Sequence, residues 1–138
     1  MIIAEHNVLG HFYSYNEEYF GGILPIPNFI IMHGWQTLGY FHYDPDAPLG
    51  TSETIEMTDF YDYTLDEFRN VLIHEMIHYY LYYIGEDTKV RHGKAFKRMA
   101  KEFNQAYGMN ITVKVDISMM KPRPDAGYFT KLSYKLFH

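Results

Sequence analysis

Apolar positions recur along this chain with two periods, and the changes of period divide it into elements. In residues 4–20, Val8, Phe12, Tyr15 and Tyr19 fall at spacings of four, three and four, which is one face of a helix. Gly21-Gly22 stops it, and Pro25 and Pro27 hold the next stretch extended. Asn28 to Met32 is a short Ile-rich run and Tyr40 to Tyr43 an aromatic one; both predict strands. Asp44 to Gly50, with two prolines and two aspartates, is a turn-rich loop. Glu53 to Thr58 alternates polar or acidic residues with Thr, Ile and Met. It predicts a third strand, placed near a sheet edge because one of its faces is charged.

The most legible element follows. Thr64-Leu65-Asp66-Glu67 is a capping box, in which the Thr64 hydroxyl covers an orphan amide and Glu67 reaches back to the cap. Leu65, Phe68, Leu72, Met76 and Tyr79 or Tyr80 then recur at helical spacing up to Gly85. Apolar and aromatic residues occupy most of the surface from Val71 to Ile84, so this helix is expected to be largely buried. A second helix is predicted from about Lys94 to Tyr107, with Phe96, Met99, Ala100 and Phe103 inward and Gly108 closing it. Ile111 to Val115 predicts one more strand, and Tyr128 to Phe137 alternates, with Lys131 and Lys135 on one side. The pattern is α+β, with no internal repeat.

Composition narrows the class. At 138 residues the chain has room for one domain of ordinary size, and 47% apolar residues suffice for a core. There is no cysteine, which excludes disulfides, a thiol nucleophile and thiolate metal ligands. No secretory signal and no apolar run long enough to span a membrane is visible, so the expectation is a soluble, cytoplasmic protein. The net charge of −5 is unevenly spread. Residues 1–68 carry eleven acids and no Lys or Arg, whereas residues 69–138 carry all twelve basic residues against six acids. Such asymmetry fits either an anionic partner on one side or two halves of one domain that attract each other.

The buried helix contains His74-Glu75-Met76-Ile77-His78. Histidines at i and i+4 share a helical face one turn apart, so both imidazoles can reach one metal ion. A glutamate beside the first can take a proton from an activated water. With 8 His and 9 Glu in the chain, residue frequencies predict about 0.03 accidental matches to this spacing. The match also falls in an apolar stretch, where unpaired imidazoles and a carboxylate would be costly without a purpose. A catalytic zinc ordinarily takes three protein ligands and keeps one position open. A third histidine three or six residues past the motif is excluded, because those positions are Leu81 and Ile84. Glu102 lies at a possible downstream distance with nothing around it to support the role. His92 is the better candidate: it stands just before the second helix and four residues before inward-facing Phe96. The other five histidines, His6, His11, His33, His42 and His138, have no spacing relation to the motif.

Taken in order, Asn16 to Pro25 with its Gly-Gly-Ile-Leu-Pro ending, Thr54-Ile55-Glu56-Met57, Val71 to His78, and His92-Gly93-Lys94-Ala95-Phe96 resemble the SprT-like zinc metalloprotease family over roughly residues 8–108. The resemblance implies a small zincin-like domain over residues 1–115: an N-terminal helix, a short mainly antiparallel sheet, and the motif-bearing helix followed by a second one. Residues 116–138 would be an extension packed on it. It also implies one zinc ion per chain held by His74, His78 and His92, with Glu75 as general base. The family includes Spartan-type proteases, which cleave proteins crosslinked to DNA. Two features depart from that pattern: the cysteine zinc ribbon of many members is missing, and the sequence pI is near 5.9.

The expected chemistry is hydrolysis of a peptide or protein substrate by activated water. Tyr79, Tyr80 and Tyr107 are among the candidates for stabilising the oxyanion. By resemblance, substrate would pair as an extended strand along Thr54 to Thr58. Lys94, Lys97, Arg98 and Lys101 fall at i, i+3, i+4 and i+7, a basic stripe that Lys89 and Arg91 extend toward His92. This stripe is either a DNA contact or the ordinary solvated face of a helix. The competing functions are a zinc-stabilised module that binds a protein without catalysis, and a regulatory peptidase with no DNA role.

Overall fold

The computed structural model describes residues 1–86 and 90–125. Helix α2, Leu65–Tyr83, is the axis of the fold. It starts as its cap dictates: Glu67 N donates to Thr64 Oγ1 at 3.1 Å and Thr64 N to Glu67 Oε1 at 2.8 Å. Beyond the first turn it is covered on all sides, and Phe68, Leu72, Ile73, Met76, Ile77 and Tyr79 are wholly buried. Helix α1, Glu5–Tyr19, supplies one cover. Its Phe12 ring stacks on Tyr79 at 6.4 Å, and His11 meets Phe68 edge-on at 4.9 Å. Helix α3, Lys94–Tyr107, supplies a second through Phe96, Ala100 and Phe103. It ends at Gly108 in the left-handed conformation (φ 66°), where a side chain would be strained.

A three-stranded sheet supplies the third cover. Its strands are β1, Asn28–Met32; β2, Gly39–His42; and β3, Thr54–Thr58. They lie in the order β1-β3-β2, with β1 parallel and β2 antiparallel to β3. A separate antiparallel pair joins β4, Tyr61–Asp62, to β5, Lys121–Pro122, so two of the three pairings are antiparallel. The architecture is the expected α+β one.

Two expectations are corrected. First, Thr54–Thr58 is the central strand and not an edge, so no substrate strand can pair along it. Its charge reports an open sheet face: Ile55 and Met57 point into the core, while Glu56 points outward beside His42, 3.4 Å away. Glu53, just ahead of the strand, is buried and accepts from Gly50 N at 2.8 Å. The edges are β1 and β2. Second, Ile111 to Val115 forms no strand. Its backbone is served by a side chain of α3 instead: Asn104 Nδ2 donates to Ile111 O at 3.0 Å, and Ile111 N donates to Asn104 Oδ1 at 2.7 Å.

The described part of the C-terminal extension is tied to the core. Met120 is buried, Arg123 N donates to Phe60 O at 2.7 Å, and Arg123 Nη1 lies 2.8 Å from Asp59 Oδ2. That ion pair joins the basic half of the sequence to the acidic one. The alternating stretch Tyr128 to Phe137, with Lys131 and Lys135, lies outside the described residues, as do Lys89 and His138. Among the described residues no helix is long and apolar enough to cross a membrane.

Candidate metal centre

His74 and His78 project from one face of α2, and His92 arrives from the turn that starts α3. Their Nε2 atoms form a near-equilateral triangle: 3.3 Å between His74 and His78, 3.2 Å between His74 and His92, and 3.2 Å between His78 and His92. Three imidazole nitrogens cannot all be satisfied by one another at that spacing, since a mutual cycle would need every ring to donate and accept at the same atom. They fit a shared cation instead. Zinc–nitrogen bonds of about 2.0–2.1 Å in tetrahedral geometry place their nitrogens roughly 3.3 Å apart. The three histidines are accordingly a group that can hold a metal ion.

Phe96, one turn into α3, forms the floor of this group. It stacks on His78 at 4.5 Å and meets His74 at 4.8 Å and His92 at 4.9 Å. Enclosure keeps the imidazoles neutral, as metal ligation requires. Burial first, and the neighbouring imidazole second, push the His74 pKa down to about 4 and that of His78 to about 3. His92 is lowered too, by burial and then by Arg91 and Lys97.

Glu75 is buried beside the triad, with Oε2 at 4.0 Å from His74 Nε2. Gly39 of β2 makes room for it: a Cβ at that position would stand 3.0 Å from Glu75 Oε2. Burial pushes the Glu75 carboxyl up to about 8, opposed by the Arg91 guanidinium. Its Oε1 is buried without a hydrogen bond, and Arg91 Nη2 lies 3.9 Å away. A carboxyl so placed can accept and return a proton at a reaction centre next to the triad. A cavity of 320 Å³ opens on this side, bordered by Tyr40, His74, Glu75, Arg91 and His92. A second cavity of 220 Å³ lies on the His78 side, among Phe41, Tyr43, Tyr82 and Phe96.

All four residues singled out by the motif and its third ligand thus come together. The other described histidines do not: His11 packs on Phe68, His33 pairs with Asp59 at 2.9 Å, His42 faces Glu56, and His6 is exposed. Glu102 is exposed on α3. The candidate oxyanion tyrosines lie elsewhere as well. Tyr79 donates to Pro25 O at 2.7 Å, Tyr80 packs on Phe20, and Tyr107 packs on Tyr19. Sequence reasoning did not single out Gly39 or Tyr40, and it placed Arg91 with the DNA stripe. The one available signal was that Arg91 adjoins His92 in the chain.

A mostly buried helix presenting two histidines, completed by a third from the next helix start in an α+β frame, defines a zincin-like domain. The chain belongs to the SprT-like family, whose model matches residues 10–115. That family is associated with metalloprotease-type activity. No curated protein matches the chain.

Proposed function

We propose that this protein is a zinc-dependent peptidase in which His74, His78 and His92 hold the metal and Glu75 is the general base. The observation that carries the reading is the triangle of three Nε2 atoms with the buried Glu75 carboxyl beside it, its Oε2 4.0 Å from His74. When bound, zinc lowers the pKa of water from about 15.7 toward about 7 and polarises a carbonyl. Glu75 receives the water proton as the new C–O bond forms on the scissile carbon. It then delivers that proton to the amide nitrogen as the C–N bond breaks. The burial that leaves Oε1 without a partner raises the proton affinity of the carboxylate, which suits a group that must take a proton from water.

The edge of β2, unpaired among the described residues, is where an extended substrate would add as a strand. It runs from Gly39, beside Glu75, to the aromatic cavity near His78. Action on DNA-associated proteins is a second reading, supported by the exposure of Lys94, Lys97, Arg98 and Lys101 along α3. The test is cleavage of a basic protein by the zinc-loaded chain, with Glu75→Gln as the blank and single-stranded DNA as the variable. Cleavage lost in Glu75→Gln with zinc retained supports the peptidase. Equal cleavage by the variant removes Glu75 from the mechanism, and no cleavage by the wild type in either condition favours the non-catalytic module. A rise with DNA that disappears when Lys97 and Arg98 are replaced would support the DNA role.

A further inference from the structure

Arg91 occupies a place that neither the metal ligands nor Glu75 accounts for. It directly precedes His92, so the segment that brings the third histidine to the triad also carries a guanidinium to the cleft. Its Nη2 lies 3.9 Å from Glu75 Oε1, and its Cζ lies 4.2 Å from the centre of the Tyr40 ring. Tyr40 belongs to β2, an edge strand among the described residues, so Arg91 is held between the proposed substrate track and the proposed base. It borders both cavities, the one beside His74 and Glu75 and the one beside His78. A peptide passing from one cavity to the other along β2 passes this side chain.

The contact with Glu75 is too long for a hydrogen bond, and the guanidinium carbon sits over the Tyr40 ring, whose face accepts no conventional hydrogen bond. The side chain is 42% exposed, so its donors can reach an incoming group. As water adds to the scissile carbon, the carbonyl π pair moves onto oxygen, which becomes negative within reach of whatever stands beside Glu75. Stabilising that charge needs a donor set in advance. Arginine suits the position because it stays protonated and donates without giving up its proton. Tyr79, Tyr80 and Tyr107 do not supply such a donor: Tyr79 donates to Pro25 O, and the other two rings pack on Phe20 and Tyr19.

We propose that Arg91 donates hydrogen bonds to the scissile carbonyl oxygen as it becomes negative, with Tyr40 as the shelf that orients it. The proposal rests on the peptidase reading above. In that step the water oxygen bonds to carbon, its proton passes to Glu75 and on to the leaving nitrogen, and Arg91 exchanges no proton.

The test compares the zinc-loaded wild type with Arg91→Ala, Arg91→Lys and Tyr40→Ala, after zinc content has been shown equal. A peptide that the wild type cleaves is assayed for kcat and KM. A phosphinic analogue of the same peptide, tetrahedral and anionic at the scissile position, is assayed for affinity. The uncleaved peptide is titrated onto the same variants in a Glu75→Gln background. Arg91→Ala is expected to lower kcat about 10²–10³-fold with KM little changed. Affinity for the phosphinic analogue should fall in parallel, while affinity for the uncleaved peptide holds. Arg91→Lys should recover part of both losses, and Tyr40→Ala should show a smaller version of them. Wild-type kcat in Arg91→Ala overturns the proposal, as does an equal loss of affinity for analogue and peptide, which would make Arg91 a ground-state clamp. A wild type that binds zinc but cleaves nothing overturns the peptidase reading itself. That result is distinct from an active wild type with an indifferent Arg91.

Discussion

Phe96 lies nearly flat against His78, with ring centres 4.5 Å apart and planes 20° apart. The same ring touches the other two histidines of the triad and is itself 2% exposed. One side chain therefore joins α3 to the motif helix and fixes the imidazole orientations. Phe96→Ala should cost about 3–5 kcal/mol of stability through the cavity it leaves. Zinc affinity should drop about 10–100-fold, as it does when groups that orient ligands are removed. Denaturant midpoints and competition against a chelating dye would measure the two effects. Unchanged zinc affinity in a destabilised variant would reduce Phe96 to a core residue.

Metal binding should be visible as folding stability. A ligand that binds only the folded chain at a hundredfold excess over its Kd adds about 2.7 kcal/mol. For a chain of this size that is on the order of 10 °C in Tm. Thermal melts with zinc and with a chelator are expected to differ by this order in the wild type. They should coincide in His78→Ala, which breaks the triangle. An identical shift in that variant would mean that zinc binds elsewhere.

In the metal-free protein two kinds of buried group titrate in opposite senses. His74 and His78 have folded pKa values of about 4 and about 3, below their unfolded 6.5. Their contribution is present above pH 6.5 and is lost as pH falls toward those values. Glu75 has a folded pKa of about 8, above its unfolded 4.5. Its contribution is present below pH 4.5 and is lost as pH rises through 8. From 4.5 to 6.5 two imidazoles outweigh one carboxyl, and from 6.5 to 8 the carboxyl acts alone. Stability of the metal-free chain should therefore peak near pH 6.5. Glu75→Gln should abolish the alkaline decline and keep the acid one. A wild-type profile that rises steadily from pH 6.5 to 8 would contradict the buried, neutral carboxyl.

The chemistry of the site was legible because it is written locally. A cap at Thr64, an apolar run from Val71 and two histidines one turn apart fix a buried helix and a shared ligand direction within 20 residues. His92 was legible through its spacing from Phe96, which the α3 periodicity turns inward. Strand order was not, because Glu56 carries the same signal on the open face of a central strand as on an edge. The segment after α3 departs from its pattern for a related reason: Ile111 and Val113 alternate like a strand, but the partner of Ile111 is the Asn104 side chain. Arg91 belongs to a run of basic residues, and what separates it from the others is its place between Glu75 and Tyr40, 16 and 51 residues earlier in the chain.

Gly39 provides the sharpest test of how closely β2 approaches the proposed base. A Cβ there would stand 3.0 Å from Glu75 Oε2, 3.1 Å from its Cγ and 3.3 Å from the backbone oxygen of Glu56. The Glu56 oxygen belongs to the central strand and cannot withdraw, so the strain of Gly39→Ala falls on the Glu75 side chain. None of these three nearest atoms belongs to a proposed metal ligand. The variant should retain zinc, fold with a loss on the order of 1–3 kcal/mol from overpacking, and lose activity by up to about 10²-fold as the carboxyl is pushed from its place. Zinc content, thermal melting and peptide turnover on one preparation would separate these effects. Full turnover in Gly39→Ala would mean that Glu75 works from a position other than the one it holds beside β2.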